Sequence, residues 1–433
     1  MTKITANARL SKVLETPLAV ALPRLPEAME DLRVSVERFC LLAGVEALGE
    51  MLAEDAETLC GPRHGRSPQR RGHRWGTTTS EIAYHGGKVK ITRPRVRDLV
   101  GQELRLASWQ ALSDPELLRA WAMNLMVLTV STRKYRRAVR LLEGDLPALA
   151  RDGTSKSAVS RRFVAISRKK LEAWLSSDLS GRDLLVVQID GIHIGDHVLV
   201  AAIGVDGQGE KHVLAIAEGA TENSATVQAL IDNLIDRGLD PEIPRLFVVD
   251  GAKALSKAIR KTFGATALIQ RCQVHKGRNI TERLPEHLKA GVKKALRQAW
   301  ELDDAQKAER LIRNLARRLE KDAPGVSGSI LEGLDEILTV TRLGLPAELR
   351  RALACTNIIE NALGTVRLVQ RNVKRWRDAE MALRWTATGL MEAKKTFRRL
   401  KAYRQLPILR NALQEHAKKT QPNSVLETVK KAA

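Results

Sequence analysis

The run LLVVQID at residues 184–190 is the first of several apolar segments that predict a β-sheet. It is followed by HVLVAAIGV at 197–205 and HVLAIAEG at 212–219, and Asp206-Gly207 lies between those two runs. An Asp-Gly pair between apolar, β-rich segments is a strong signal for a hairpin turn. The three runs therefore predict three consecutive, meandering strands.

The segments that follow alternate between helical and strand patterns. A helical pattern at 224–237 precedes the strand RLFVVD at 245–250, and a second helix at 252–263 precedes a short strand at 267–270. Meandering strands followed by alternating helices and strands are typical of an α/β core. We therefore predict the α/β fold class, with a mixed sheet in the core.

The charge of the chain points to a polyanionic partner. The chain has 433 residues, of which 72 are Lys or Arg and 50 are Asp or Glu, so its net charge is +22. An excess of this size is typical of proteins that bind nucleic acid, and a merely basic surface is the alternative.

Neither membrane insertion nor export is predicted. No run reaches the ~18 apolar residues that a membrane-spanning helix requires, and the N-terminal residues lack the apolar region of an export signal. The four cysteines are too sparse and too unevenly spaced for a disulfide framework. We therefore predict a cytoplasmic protein.

Residues 111–180 carry the pattern of a DNA-binding helix-turn-helix. Asp114-Pro115 begins one predicted helix, Ser131 begins a second, and a third follows the Asp152-Gly153 loop. In a recognition helix, small polar residues contact base edges and basic residues contact phosphates. The residues predicted to contact DNA here are Ser155, Lys156, Arg161 and Arg162. An ordinary helical hairpin is the alternative.

Two aspartates follow predicted strands directly. Asp190 is followed by Gly191, and Asp250 is followed by Gly251. Carboxylates at strand ends project from a rigid edge, and the glycines let a substrate or a water approach closely. A single Asp-Gly is above all a turn signal, but two in one small sheet of a basic protein favour a catalytic pair.

Glu360 is the candidate for a third acid. Thr356 or Asn357 can cap a helix and so place Glu360 in its first turn. Two Mg²⁺ ions about 3.5–4 Å apart catalyse phosphoryl transfer, and three carboxylates suffice to hold them. At helical spacing Glu360 leads a stripe that contains Gly364, Arg367, Arg371 and Arg375. An acid that leads a row of arginines suits a metal site continued by a phosphate track, and the alternative is a capping glutamate with a solvated basic face.

Four motifs, in this order along the chain, resemble those of the bacterial Mutator-type transposases. They are QIDGIHIG at 188–195, FVVDGAKALSKAI at 247–259, QRCQVHKGRNI at 270–280 and TNIIENALGTVR at 356–367. The resemblance covers about 180 to 400 and extends more loosely over the N-terminal half. It is specific because Asp-Gly-Ala-Lys, Cys-x-x-His and Asn-x-x-Glu-Asn occur together and in order.

The resemblance implies an RNase H-like core with a catalytic triad of Asp190, Asp250 and Glu360. It implies cleavage at the terminal inverted repeats of an insertion sequence with two Mg²⁺ ions per active site, for which Mn²⁺ substitutes. The released 3′ hydroxyl then attacks target DNA directly. The implied partners are double-stranded DNA and further copies of the chain, most simply in a homodimer. The implied location is a bacterial cytoplasm, at the nucleoid when the protein is bound to DNA.

The resemblance also implies that a helical segment interrupts the catalytic core. The predicted units are an N-terminal helical region at 1–60, a basic β-hairpin segment at 61–110, the helix-turn-helix region at 111–180, two parts of the core at 181–284 and 355–405, a helical insertion at 285–354, and a C-terminal tail at 406–433.

Several residues near the motifs are predicted to have structural roles. Cys272 and His275 are half of a tetrahedral zinc site, and the remaining cysteines offer no second pair, so we predict a zinc-free pair that packs beyond the strand at 267–270. Cys60, His64 and His73 also lack a fourth ligand. His193 is interpreted as a strand residue rather than a proton shuttle, and Trp376 and Trp385 as core residues rather than platforms for bases.

Two other functions compete with transposition. A nuclease on the same core would cut DNA without joining it, and a domesticated regulator would bind DNA without cutting it. The additional DNA-binding regions disfavour the nuclease, and the intact triad disfavours the regulator.

Overall fold

The computed structural model describes residues 25–65, 68–139, 154–219, 223–264 and 267–420. The chain divides into two compact units. The first comprises Met1–Leu118 with Val139–Thr154, and the second comprises Arg119–Ala138 with Ser155–Ala433.

The first unit combines a long helix with a β-hairpin. Its elements are α1 (Leu25–Cys60), β1 (Gly72–Tyr84), β2 (Gly87–Asp98), β3 (Glu103–Leu104) and α2 (Ala107–Leu112). His85 and Gly86 form the turn of the hairpin, since Tyr84 pairs with Gly87 and both turn residues have positive φ. A register shift between Arg74 and Thr77 interrupts the pairing of β1 with β2.

Helices precede the second sheet, as predicted. They are α3 (Pro115–Val127), α4 (Tyr135–Ala138) and α5 (Lys156–Leu175). The loop at Asp152-Gly153 and the end of the helix predicted to begin at Ser131 lie outside the described residues. In α5, Ser155 caps the helix by accepting a hydrogen bond from the backbone N–H of Ala158 at 3.3 Å.

A five-stranded mixed sheet forms the centre of the second unit. Its elements are β4 (Leu184–Ile194), β5 (His197–Asp206), β6 (Lys211–Glu218), α6 (Ser224–Asp236), β7 (Leu246–Val249), α7 (Lys253–Phe263) and β8 (Leu268–Arg271). The strand order is β6-β5-β4-β7-β8. β4, β5 and β6 are antiparallel, whereas β7 and β8 run parallel to β4. This confirms the predicted mixed sheet of an α/β protein.

Both faces of the sheet are covered by helices. Alternate residues of β4 enter different cores, with Ile192 and Ile194 in one and Val187 and Ile189 in the other. Helices α6 and α7 bury their apolar residues in the core that contains Ile189. The other core is covered by three helices from the C-terminal part: α15 (Asn357–Gln370), α16 (Ala379–Lys394) and α17 (Leu406–Thr420).

The segment between the sheet and α15 is helical, as predicted. It contains α8 (Gln273–Glu282), α9 (Glu286–Glu301), α10 (Ala305–Leu319), α11 (Pro324–Leu331), α12 (Leu334–Ile337), α13 (Thr339–Arg342) and α14 (Ala347–Leu353). Its apolar residues between Ile280 and Leu338 form a separate core.

Two features of the C-terminal part differ from the prediction. Residues 406–420 were expected to belong to a tail, but they form α17, in which Leu406, Leu409 and Leu413 are buried. The arginine stripe is shorter than expected, because α15 ends at Gln370 and Arg375 lies in the connection to α16. No helix among the described residues has the length and apolarity to span a membrane.

Candidate active site

Asp190 lies on β4, and Asp250 directly follows the neighbouring strand β7. Ile189 of β4 pairs with Val249 of the parallel strand β7, so the residue after each of these partners is one of the two aspartates. The prediction that β4 ends at Asp190 is wrong, because β4 continues to Ile194 through its pairing with β5. Asp190 therefore marks the end of the parallel pairing rather than the end of a strand.

Asp250 is held by the tight turn that leads into α7. One carboxylate oxygen, Oδ1, accepts a hydrogen bond from the backbone N–H of Ala252 at 3.0 Å. Gly251 has a φ of 106°, which side-chain-bearing residues rarely adopt, and its carbonyl accepts from Arg271 Nη2 at 2.5 Å. The turn thus fixes the Asp250 carboxylate at the C-terminal end of β7.

Glu360 lies in the first turn of α15, as predicted. The hydroxyl of Thr356 donates to Glu360 Oε1 at 2.9 Å instead of capping the helix. Buried Gln188 holds this end of α15 against β4, because its amide donates to the carbonyl of Cys355 at 3.1 Å and accepts from the N–H of Ile359 at 3.3 Å. Sequence reasoning missed Gln188, although a lone amide inside an apolar strand was a signal.

The charges of Asp250 and Glu360 act on the buried carboxylate of Asp190. Burial is the main reason that the pKa of Asp190 is raised to about 6, and the charge of Asp250 raises it further, with a smaller effect from Glu360. His275 and the N–H of Gly191 act in the opposite direction. A bound cation would favour the charged form of the buried Asp190 carboxylate, and an all-oxygen donor set suits Mg²⁺ or Mn²⁺.

Cys272 and His275 border this site. The Cys272 thiol begins α8 by accepting from the backbone N–H of His275 at 3.4 Å, and His275 Nε2 lies 3.7 Å from Glu360 Oε1. The Thr356 hydroxyl is within 3.4 Å of both Cys272 Sγ and His275 Nδ1. The hydrogen bond to Cys272 is the main reason that the pKa of His275 is raised to about 9, against the effect of burial. The raised pKa favours the charged form of His275 beside the Glu360 carboxylate.

Two groups of side chains in the described part of the chain have possible metal-ligand atoms within 4.8 Å of one another. They are Cys272 with His275 and Glu360, and Asp206 with Glu210 and His212. The three triad carboxylates are not so close, and the Glu360 carboxylate instead contacts Thr356 and His275. In the second group, Asp206 accepts hydrogen bonds from the backbone N–H groups of Gln208 and Glu210. The hairpin turn between β5 and β6 therefore explains why these three side chains lie together.

Comparison with known proteins identifies the family. The family model described as transposase, Mutator family, matches residues 42–399 of this chain. The chain belongs to the Mutator family of transposases.

Its relatives are transposases of bacterial insertion sequences. The transposase for insertion sequence element IS6120 of Mycolicibacterium smegmatis is 30% identical over 222 residues, which are 50% of this chain and 67% of the relative. The transposase for element ISRM5 of Rhizobium meliloti is 24% identical over 84% of this chain and 89% of its own length. The transposase for element IS256 of Staphylococcus aureus is 25% identical, over 76% and 81% respectively.

The other residues singled out from the sequence lie at various places in the transposase. His193 is exposed, and it points to the opposite face of β4 from Asp190 because successive side chains alternate. Trp385 packs against Phe163 with ring centroids 4.4 Å apart, and Trp376 packs against Gly195, so both contribute to packing as predicted.

The residues predicted to contact DNA differ in exposure. In the transposase Ser155, Lys156, Arg161 and Arg367 are exposed, and Arg162 is partly buried. Arg371 is exposed and donates to the Thr129 hydroxyl at 3.1 Å.

We expect purified transposase to contain no tightly bound zinc. Cys272 and His275 with Glu360 supply three ligands, whereas a structural zinc site needs four. Loss of the thiol cap should instead lower stability by about 1 kcal/mol, and Cys272→Ser should lose less than Cys272→Ala because a hydroxyl also caps. Thermal unfolding of the two variants and elemental analysis of the wild type check this. One zinc per chain that disappears in Cys272→Ser would contradict it.

Proposed function

We propose that this transposase cleaves the ends of its insertion sequence by metal-dependent hydrolysis and joins them to target DNA by direct transesterification. The observation that carries the proposal is the register of β4 and β7, which brings Asp190 and Asp250 side by side, with the charge of Glu360 acting on the same buried carboxylate. A buried acid kept among other acids is typical of a catalytic site.

The topology of the second unit supports an RNase H-like core. Three antiparallel strands are followed by two strands parallel to the first, and the first strand lies at the centre of the sheet. We propose α9–α14 as the helical insertion between the second and third acids. Helices α9–α12 pack into a core that is separate from the sheet, whereas Val340 of α13 and Leu349 and Leu353 of α14 pack into the sheet core that contains Ile192. The boundaries of 181–284, 285–354 and 355–405 stay part of the proposal, and α17 extends the last part to 420.

In this proposal Asp190, Asp250 and Glu360 hold two divalent ions, Mg²⁺ or Mn²⁺. When bound, such ions activate the attacking water or hydroxyl and stabilise the leaving oxygen. Gln188 and Thr356 position Glu360, the first by fixing the start of α15 and the second by hydrogen bonding to its carboxylate. The turn at Gly251 positions Asp250, because the backbone N–H of Ala252 donates a hydrogen bond to the Asp250 carboxylate.

We further propose that the basic N-terminal half recognises the terminal inverted repeats. Ser155, Lys156 and Arg161 are exposed near the start of α5, where a recognition helix contacts DNA, and partly buried Arg162 would contribute less. Arg367 and Arg371 are exposed near the end of α15 and would contact phosphates. A homodimer would then pair two ends at the bacterial nucleoid.

The test is a combined cleavage and joining assay with the full-length chain. The substrates are a labelled duplex with the repeat found beside the gene, a scrambled duplex as control, and a target plasmid. We expect the repeat duplex to be nicked only when Mg²⁺ or Mn²⁺ is present, and the cut should leave a 3′ hydroxyl. Product joined to the target plasmid should form with the repeat duplex but not with the scrambled duplex. Cutting without joining would favour a nuclease, and repeat-specific binding without cutting would favour a regulator.

A further inference from the structure

One face of α7 is polar and basic along its whole length. The opposite face is buried in the sheet core through Leu255, Ala258 and Ile259. The polar face consists of residues at positions i, i+3, i+4 and i+7 of the helix, namely Lys253, Ser256, Lys257 and Arg260. Residues at this spacing are neighbours on a helix surface, so their side chains form a continuous row.

This row lines an open cavity of about 380 Å³. Across from α7, the cavity is lined by Arg271 at the end of β8 and by Glu336 of α12. Gly251 also lines it, and Gly251 directly follows Asp250. Because one residue extends the chain by at most ~3.6 Å, the cavity lies close to Asp250, the proposed catalytic residue.

The charge of the cavity is positive. Arg260 pairs with Glu336 at 2.6 Å, Arg271 lies 3.8 Å from the same carboxylate, and Lys253 lies 3.6 Å from Glu332. Lys257 is exposed and has no hydrogen-bond or ion-pair partner within the described ranges. Four cations therefore face two acids, and the exposed ammonium of Lys257 is available for an anion.

We propose that this face of α7 binds the phosphodiester backbone of the DNA strand next to the bond that is cut or joined. The inference rests on the proposed function, because it takes Asp250 as the position of the reacting phosphate. The exposed ammonium groups of Lys253 and Lys257 and the exposed guanidinium of Arg260 form a row that matches consecutive phosphates, whereas Ser256 between them is buried. Such contacts set the register of DNA without reading its sequence. Lys253 and Lys257 act as positioning residues.

The first experiment measures DNA binding by the full-length protein without divalent metal, over a range of salt concentrations. The variants are Lys253→Gln and Lys257→Gln, and the matched control is Lys261→Gln, an exposed lysine on the same helix that does not line this cavity. Each lost phosphate contact should flatten the slope of log affinity against log salt by about 0.9. Lys257→Arg keeps the charge and should restore the wild-type slope.

A slope for Lys253→Gln and Lys257→Gln that equals that of Lys261→Gln would overturn the inference. Because this readout needs no catalysis, it separates the two proposals. Flattened slopes in a protein that never cuts DNA would support the α7 contact and refute the proposed function.

The second experiment finds which DNA lies on α7. Cleavage is measured on the uncut end duplex, and joining is measured with a pre-cut end and a target plasmid. We expect Lys257→Gln to raise the KM for one of these DNAs by about tenfold with kcat changed less than twofold, as loss of one charge-assisted contact predicts. A raised KM in cleavage assigns the element end, and a raised KM for the target plasmid alone assigns target DNA. An unchanged KM in both reactions would contradict the inference.

Discussion

Asp190→Asn, Asp250→Asn and Glu360→Gln are each expected to lower the rate of strand cleavage by at least about 10³-fold. The amides keep the shape of the side chains but remove the negative charge that would hold the metal ions. Binding of the repeat duplex should stay within about twofold of the wild type, because the proposed recognition residues lie elsewhere.

The measurement is cleavage of a labelled repeat duplex in Mg²⁺ and again in Mn²⁺, with a gel shift on the same preparations. Asp196→Asn is the matched control, because Asp196 is an exposed aspartate beyond the end of β4. This variant should cut the repeat duplex at the wild-type rate. If any triad variant cuts like the wild type, that residue does not belong to the catalytic set. If a variant loses binding as well, its defect is in folding rather than in chemistry.

The elements around the site could be predicted because each has a local signal. The strands β4–β8 are apolar runs, and the two aspartates follow the residues at which β4 and β7 pair, so their proximity follows from a parallel register. Glu360 was placed in a first helical turn by the polar residues before it, and it lies there.

The contacts that position the site could not be predicted because they join distant parts of the chain. The amide of Gln188 bonds to Cys355, which is 167 positions away, and His275 approaches Glu360 only once α8 and α15 are packed. The end of β4 was misplaced because Asp-Gly suggests a turn, whereas the pairing with β5 carries the strand on to Ile194. The sequence did carry a signal for α17, because Leu406, Leu409 and Leu413 have the i, i+3, i+7 spacing of one helix face, but only their burial against the core marks the helix as part of the unit.

The site is also expected to lower the stability of the metal-free protein, so Asp190→Asn should unfold at a higher temperature than the wild type at neutral pH. Asp190 is buried, and burial with the charges of Asp250 and Glu360 raises its pKa to about 6 from an ordinary 3.8. A folded-state pKa above the unfolded one means that ionisation destabilises the folded state. The difference corresponds to about 3 kcal/mol once Asp190 is fully ionised in both states.

The pH dependence fixes the sign of this effect. Below about pH 3 Asp190 is mostly protonated in the folded and unfolded chains alike, so the variant and the wild type should be equally stable. The advantage of Asp190→Asn should grow between about pH 3 and pH 7 and stay constant above that range. Mg²⁺ should then narrow the gap by stabilising the wild type alone, since a ligand that binds only the folded state raises its stability. The measurement is the thermal unfolding of the wild type and Asp190→Asn at pH 4, 5, 6 and 7.5, with chelator and with Mg²⁺. If Asp190→Asn is less stable than the wild type at pH 7.5 in chelator, the Asp190 carboxylate stabilises the folded protein and the prediction is wrong.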